Sequence, residues 1–152
     1  MRLTAYTDYS LRVLTYLGLR EGRLSTIAEI SDTYGLSANH LMKIIPNLGK
    51  LGYVDTVRGR GGGIRLAGSP KEINLGQLVR AVEPDFEIVE CFDGNRRDQC
   101  VIAPACRSQR VFEKAVQAFL DVLDSYTLAD LLQDSTRLSA LLSIVPAVKR
   151  AG

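Results

Sequence analysis

The sequence predicts a mainly α-helical chain with a small β-hairpin wing, arranged as a winged helix-turn-helix followed by a long dimerisation helix. Three observations support this fold class. Apolar residues recur at helical spacing in several segments that glycine-bearing turns separate. A loop rich in glycine and arginine lies between two short segments of alternating polarity. A late segment, 104–126, has a wider apolar face than a chain of 152 residues can readily cover by itself.

The length and composition are those of a folded soluble protein. The chain has 152 residues, 46% of them hydrophobic and 24% charged. No apolar run reaches the roughly 18 residues of a membrane span and no export signal is visible, so we expect a cytoplasmic location. Residues 1–66 carry nine Lys and Arg against five Asp and Glu, a net +4, whereas residues 67–152 carry ten against twelve, a net −2. This asymmetry favours an anionic partner for the first half.

The first two helices are predicted from an apolar stripe and from end signals. The stripe lies within 7–19 and consists of Leu11, Val13, Leu14, Tyr16 and Leu17. The second helix begins after Thr26, which forms a capping box with Glu29. The Thr26 hydroxyl and the Glu29 carboxylate each accept a hydrogen bond from one free N–H group of the first turn. Gly35 ends this helix, because glycine supplies the positive φ of a tight turn.

The third helix is predicted to be the recognition helix of a helix-turn-helix. Ser37 caps it, and a one-sided apolar stripe follows at Leu41, Ile44, Ile45 and Leu48. The opposite face carries Asn39, His40 and Lys43, which can reach base edges and phosphates. On the helices alone, a solvated face on an ordinary helical bundle is the alternative.

A proline interrupts the recognition helix. Pro46 removes one backbone donor, so we expect it to kink or end the helix after the first two turns. Asn47 is therefore discounted as a base reader.

The segment after the third helix predicts a β-hairpin. Residues 53–57 and 64–66 are predicted strands, and the basic, glycine-rich loop lies between them. Arg58, Arg60 and Arg65 supply positive charge for phosphates or the minor groove. A phosphate-cradling nucleotide loop does not fit, because these glycines precede a strand rather than a helix. The predicted DNA-binding set is therefore Ser37, Asn39, His40, Lys43, Arg58, Arg60 and Arg65.

The second half of the chain predicts more helices around a long irregular segment. A fourth helix follows Asn74 and ends at Pro84, and residues 85–103 show no sustained period. Residues 104–126 predict a long helix that packs against its twin in a homodimer; burial within one subunit is the alternative. Two short helices follow, the first capped by Thr127 and the last ended by Pro146.

Three cysteines, Cys91, Cys100 and Cys106, lie within sixteen residues. No CxxC pair is present, which excludes a zinc ribbon, and the single histidine, His40, is placed on the DNA-facing helix. An iron–sulfur cluster, a thiol redox switch and three buried reduced cysteines remain open. Cys106 is predicted to lie one turn into a helix beginning at Pro104, where free N–H groups lower the pKa of a thiol.

Several segments resemble the iron–sulfur winged-helix repressors of bacteria. They are LTAYTDY at 3–9, YGLS at 34–37, NHLMKI at 39–44, VRGRGGGIRL at 57–66, ECF at 90–92 with PACR at 104–107, and YTLADL at 126–131. The wing and the cysteine segments mark the superfamily, and the first, third and last segments point to its nitric-oxide-sensing branch. The resemblance extends to about residue 145.

The resemblance implies a cofactor and a way of controlling it. The cofactor is an iron–sulfur cluster, [4Fe–4S] in preference to [2Fe–2S], held by Cys91, Cys100 and Cys106. The fourth ligand is a carboxylate from the N-terminal helix of the partner subunit, which corresponds to Asp8. Nitric oxide reacts with the iron, loosens the ligands and releases the DNA.

The resemblance also implies an organisation of the chain. Residues 1–83 form the winged helix-turn-helix DNA-binding domain, 84–106 the cluster-binding loop, and 104–145 the dimerisation helix and the C-terminal helices. The homodimer binds a palindromic double-stranded operator and represses genes for nitric oxide detoxification.

Two points leave the ligand set open. Eight residues separate Cys91 from Cys100, more than the family commonly shows, which leaves Asp93 and Asp98 as alternative fourth ligands. Apart from the resemblance, Asp8 is expected to complement the dipole of its helix.

Other functions compete with a nitric-oxide-responsive repressor. An iron-responsive repressor of the RirA type has the same wing and cysteines. A thiol-redox protein without specific DNA binding, or a winged-helix regulator with structural cysteines only, would use the same residues differently. We expect no enzyme, because the only histidine lies on the DNA-facing helix and no paired acid and base are visible.

Overall fold

A computed structural model describes residues 2–96 and 99–144. The helices and strands, in chain order, are α1 (Ala5–Leu19), α2 (Ile27–Tyr34), α3 (Ala38–Lys50), β1 (Val54–Val57), β2 (Gly63–Leu66), α4 (Leu75–Val82), α5 (Ser108–Asp124), α6 (Leu128–Leu131) and α7 (Ser135–Leu141). Short 3₁₀ turns lie at Pro70–Glu72, Glu90–Phe92 and Ala103–Ala105. The predicted class, a mainly helical winged helix-turn-helix with a long helix after it, is confirmed. No helix in these ranges is long and apolar enough to cross a membrane.

Helix α1 is the centre of the core. Val13, Leu14 and Leu17 are almost completely buried, and α1 contacts α3, β2, α4 and α6 as well as α2 and α7. Thr4 caps this helix by accepting a hydrogen bond of 3.4 Å from the backbone N–H of Thr7. The helix therefore begins earlier than the apolar stripe predicts, because a cap rather than an apolar residue sets its start.

The signals predicted around α2 are confirmed. The Thr26 N–H donates to the Glu29 carboxylate at 2.6 Å, and the Glu29 N–H donates to the Thr26 hydroxyl at 3.1 Å. Gly35 follows with a φ of 63°, a left-handed conformation that disfavours any side chain. This tight turn sets the direction of α3 relative to α2.

Pro46 does not end the third helix, so that part of the expectation is wrong. Helix α3 continues through Pro46 to Lys50. A proline inside a helix costs about 3 kcal/mol. The apolar side chains on both sides of it are buried, and each contributes about 1.5–3 kcal/mol; they are Leu41, Ile44, Ile45 and Leu48. Packing thus outweighs the lost backbone hydrogen bond, and the half-buried Asn47 stays outside the predicted DNA-binding set.

The hairpin is antiparallel and gains a third partner. Val54 pairs with Leu66 and Val57 pairs with Gly63. On the other edge of β2, the backbone of Ser25 exchanges two hydrogen bonds with Ile64, at 2.8 and 2.7 Å. This bridge joins the wing to the segment between α1 and α2, so the base of the wing is held by the core.

The C-terminal part is anchored to α4 by polar contacts. The Arg80 guanidinium makes two hydrogen bonds to the Asp124 carboxylate, at 2.5 and 2.7 Å. The Asn74 side-chain amide donates to the backbone oxygen of Asp124 at 2.6 Å. These bonds, together with a backbone bridge between Asn74 and Thr127, set the end of α5 against α4.

Two predicted helix bounds differ from the structure. The long helix begins at Ser108 instead of Pro104, because Pro104 lies in a separate 3₁₀ turn. The last helix, α7, ends at Leu141. Its predicted end at Pro146, and the last residue of the predicted 104–145 segment, lie outside the described residues.

Gly76 should be intolerant of a methyl group. Replacing a glycine inside a helix by alanine normally stabilises the folded protein by up to about 1 kcal/mol. In α4, however, a Cβ at Gly76 would overlap the Asp124 carboxylate, so we expect Gly76→Ala to destabilise the protein by about 1–3 kcal/mol. Urea unfolding measures the effect. The control is Gly49→Ala in α3, where the added Cβ lies 3.6 Å from its nearest neighbour. An equal increase in the free energy of unfolding for both variants would contradict the packing assigned to α4.

Candidate DNA interface and cysteine site

The outer face of α3 is polar and open to solvent. The predicted residues Ser37, Asn39, His40 and Lys43 are all exposed. Ser37 occupies the N-cap position, as predicted, but its hydroxyl makes no capping hydrogen bond. This face therefore presents a hydroxyl, an amide, an imidazole and an ammonium group within about two helical turns.

One edge of this face meets α1 and forms a shallow apolar groove. The His40 ring lies 5.9 Å from the Tyr9 ring, measured between centroids. The groove has a volume of about 180 Å³, and we call it the α1–α3 groove; it is lined by Ala5, Tyr6, Tyr9, His40, Lys43 and Ile44. Two predicted DNA-binding side chains thus also border an apolar cavity.

The wing presents two free arginines. Arg58 and Arg60 are exposed, and neither has an ion-pair partner among the described residues. Arg65 differs, because its guanidinium lies 3.7 Å from the Asp55 carboxylate across the hairpin. Within the predicted set, Arg58 and Arg60 therefore carry the uncompensated charge of the wing.

The turn at the wing tip depends on glycine. Gly59 and Gly61 have φ values of 98° and 78°, which side chains disfavour. A Cβ at Gly62 would overlap the backbone oxygen of Val57. Glycine thus makes the tip narrow enough to bring its arginines close to another surface.

The three cysteines are free thiols on the surface of the C-terminal part. Cys91 and Cys106 are partly buried and Cys100 is exposed. Across residues 2–96 and 99–144, no three His, Cys, Asp or Glu side chains lie close enough together to hold a metal ion. A single protomer therefore does not gather the predicted ligands Cys91, Cys100, Cys106 and Asp8.

Cys106 lies just before α5 and not one turn inside it, which corrects the prediction. The helix begins two residues later, at Ser108. The expected electrostatic effect is still present, because the backbone N–H groups of Gln109 and Ser108 lower the pKa of the Cys106 thiol. The first turn of α5 thus favours the thiolate, which is the form that binds metals.

Asp8 lies in the first turn of α1, as predicted, and is held by a neighbour that we did not predict. The Arg12 guanidinium contacts both carboxylate oxygens, at 2.8 and 3.3 Å. Arg12 also lies over the rings of Tyr9 and Tyr34, 5.9 Å from each centroid. The spacing of four residues between Asp8 and Arg12 is a helical ion-pair signal that sequence reasoning could have found.

One of the two alternative fourth ligands, Asp93, lies among the described residues. The Asp93 carboxylate accepts a hydrogen bond of 2.9 Å from the Asn95 N–H and lies 3.7 Å from the Arg96 guanidinium. Asp98 lies outside the described residues. Asp93 is therefore already engaged within its own turn.

Helix α5 exposes a narrow apolar stripe. Only Leu120 of this helix is fully buried. Val111 is 62% exposed and Val122 is 58% exposed, and the exposed Ala115 and Ala118 lie between them at spacings of four, three and four residues. Such a stripe on one side of a long helix is typical of a surface that another chain covers.

A winged helix-turn-helix with a polar third helix and free arginines at its wing defines a transcriptional regulator of the winged-helix class. The chain belongs to the Rrf2 family, because the family model described as an iron-dependent transcriptional regulator matches residues 3–134.

Full-length relatives agree with this family. The transcriptional regulator NsrR of Bacillus subtilis is 54% identical over 145 residues, which are 95% of this chain and 99% of that protein. NsrR of Bacillus licheniformis is 51% identical over 144 residues, 94% of this chain and all of that protein. Among solved structures, T. potens IscR superposes with a TM-score of 0.71 at 27% identity, covering 91% of this chain and 90% of that one.

The free wing arginines should differ from the paired one in DNA binding. We expect Arg58→Ala and Arg60→Ala each to reduce the slope of log affinity against log salt by about 0.9, the value for one lost phosphate contact. Arg65→Ala should change the slope less, because Asp55 already offsets its charge. Fluorescence anisotropy with duplex DNA at several salt concentrations measures the slopes. Equal slopes for all three variants and the unmodified protein would place the wing away from DNA.

Proposed function

We propose that this protein is a DNA-binding transcriptional repressor whose operator binding is controlled by an iron–sulfur cluster that reacts with nitric oxide. The observation that carries the proposal is the combination, in one chain, of an exposed recognition face with three free cysteines next to an uncovered helix. Full-length similarity to NsrR proteins supports it.

The DNA-binding part uses two adjacent surfaces. Asn39, His40 and Lys43 are exposed on α3, so this helix enters the major groove and contacts base edges. Arg58 and Arg60 extend from the wing and neutralise phosphates or enter the minor groove. The bridge between Ser25 and Ile64 keeps the wing at a constant position relative to α3.

The protein acts as a homodimer through α5. The exposed stripe of this helix consists of small apolar residues, which let two helices approach closely, and Val111 and Val122 at its ends are 62% and 58% exposed. A two-fold axis along this contact places two recognition helices on successive major grooves, about 34 Å apart. This requirement explains why one protomer leaves the stripe uncovered.

The dimer should dissociate when charge enters the stripe. We expect Val111→Glu and Val122→Glu to weaken association by about a hundredfold or more, since an unpaired buried carboxylate costs about 3 kcal/mol or more. Gln117→Glu, which adds the same charge on a different side of α5, should leave the dimer intact. Sedimentation velocity over a range of concentrations measures all three. The interface would be contradicted if the Gln117 variant sedimented as a monomer, or if both valine variants sedimented as dimers.

The donor set fits an iron–sulfur cluster. Three thiols without disulfide partners lie in a segment with little packing of its own, and the first turn of α5 favours the thiolate of Cys106. Cys91 and Cys100 precede it on the same segment, so all three can close around one group. When bound, the cluster supplies iron atoms that react with nitric oxide.

Asp8 supplies the fourth ligand from the partner subunit. Its carboxylate is half exposed, and Arg12 holds it in one orientation. A carboxylate is a harder and more labile ligand than a thiolate, so the iron that it binds is the one most open to a small diatomic molecule. Because Asp8 belongs to α1, its release alters the helix against which α3 packs.

An iron-responsive repressor is the second candidate, and the family description favours it directly, since it names an iron-dependent regulator. Such a protein would hold the same cluster and lose it when iron is scarce. The stimulus separates the two functions, because only the first responds to nitric oxide while iron is plentiful.

Anaerobic titration with nitric oxide tests the proposal. We expect the visible absorbance of the cluster and operator binding to decline together as nitric oxide is added. Cys91→Ala, Cys100→Ala and Cys106→Ala should each abolish cluster binding, whereas Asp8→Ala should leave a cluster of altered stability and response. Asp93→Ala is the matched carboxylate control. An unchanged spectrum and nitric oxide response for Asp8→Ala would remove Asp8 from the site, and operator binding indifferent to nitric oxide would favour the iron-responsive function.

A further inference from the structure

Two exposed apolar side chains lie between the second and third cysteines. Val101 is 96% exposed and Ile102 is 62% exposed, and we call them the apolar pair. They follow Cys100 directly, and the turn Ala103–Ala105 separates them from Cys106. Nothing among the described residues covers them, although β-branched aliphatic side chains gain much from burial. A second surface is therefore expected to receive them.

The α1–α3 groove offers an apolar surface of suitable size. Its volume of about 180 Å³ would hold roughly six water molecules, or one or two branched aliphatic side chains. The residues that line it include the buried Ile44 and the partly buried Tyr6 and Tyr9. The groove thus matches the apolar pair in both size and chemistry.

The groove lies beside the proposed fourth ligand. Ala5 lines it, and Asp8 lies three residues further along α1, which places these two side chains next to each other on one face of the helix. We call residues 84–106 the cysteine segment. When this segment of the partner brings Cys100 towards Asp8, it also brings the two residues that follow Cys100. The apolar pair of one protomer therefore arrives at the groove of the other.

Charge favours the same contact. Lys43 stands at the rim of the groove and has no ion-pair partner among the described residues. Residues 84–106 carry five carboxylates against two arginines, a net −3, and Arg96 offsets part of this charge through contacts with Glu90 and Asp93. An acidic segment approaching a basic rim is steered into register before its apolar residues are buried.

We propose that the apolar pair of each protomer docks in the α1–α3 groove of its partner and connects the cysteine segment to the recognition helix. The inference rests on the proposed function, since ligation by Asp8 of the partner subunit is what brings the two surfaces together. His40 and Lys43 border the groove and also face DNA. Occupation of the groove therefore holds two DNA-facing side chains, and withdrawal of the apolar pair releases them.

Photo-cross-linking tests where the apolar pair lies. A photoreactive phenylalanine replaces Ile102 in unlabelled full-length protein, which is mixed with isotopically labelled chains and reconstituted anaerobically with iron and sulfide. We expect cross-links from residue 102 to labelled peptides that contain residues 5–9 or 40–44. Cross-links only to unlabelled chains, or only to labelled peptides from elsewhere, overturn the docking.

A double variant tests what the docking does. Val101→Ser with Ile102→Ser should keep the iron and sulfide content and the dimer, because neither a ligand nor α5 changes. The difference in operator affinity between cluster-loaded and metal-free protein should shrink about tenfold or more. The control is Leu141→Ser on α7, a site that is 73% exposed and distant in sequence, which should keep the whole difference. The conservative exchange Val101→Ile with Ile102→Val should also keep it.

The two proposals fail in different ways. If the unmodified protein binds no cluster, or binds its operator equally well with and without one, the proposed function is wrong and the inference falls with it. If the unmodified protein shows the difference and the double serine variant retains it in full, the repressor stands and only the docking of the apolar pair is wrong.

Discussion

The burial of α1 is the constraint on which the rest of this structure depends. Val13, Leu14 and Leu17 are almost fully buried, and they hold α1 against α3, the hairpin, α4 and α6 at once. One helix thus touches both the DNA-facing elements and the C-terminal part. Its first turn also carries Asp8 and Arg12. A change at that end can therefore reach the recognition helix through direct packing, without any loop to transmit it.

The second half of the chain depends on a junction of a different kind. The ion pair between Arg80 and Asp124, with Gly76 beneath it, fastens α5 to α4 through polar contacts on the surface. Most of α5 beyond this junction has no apolar cover. A few hydrogen bonds thus set the direction of α5, whereas its exposed apolar stripe has no cover among the described residues. The residues between these two helices, 83–107, carry all three cysteines.

Much of this fold follows from short-range signals. The capping box at Thr26, the left-handed turn at Gly35 and the cap at Asn74 each act within four residues and appear in the structure as predicted. The wing follows from alternation and glycine. Local rules about proline give the wrong helix bounds in two places. Packing on both sides of Pro46 carries α3 through it, and a separate turn at Pro104 leaves Cys106 outside α5.

The sequence by itself determines which residues are candidates for the site, because chemical type and spacing along a helix or strand are local properties. The sequence alone predicts Asn39, His40 and Lys43 on one helix face, arginines at a glycine turn and three closely spaced thiols. Which of them are free to act did not follow from spacing. The pairing of Arg65 with Asp55 across the hairpin and the groove under His40 arise from contacts between separate elements, where distance in space is independent of distance along the chain.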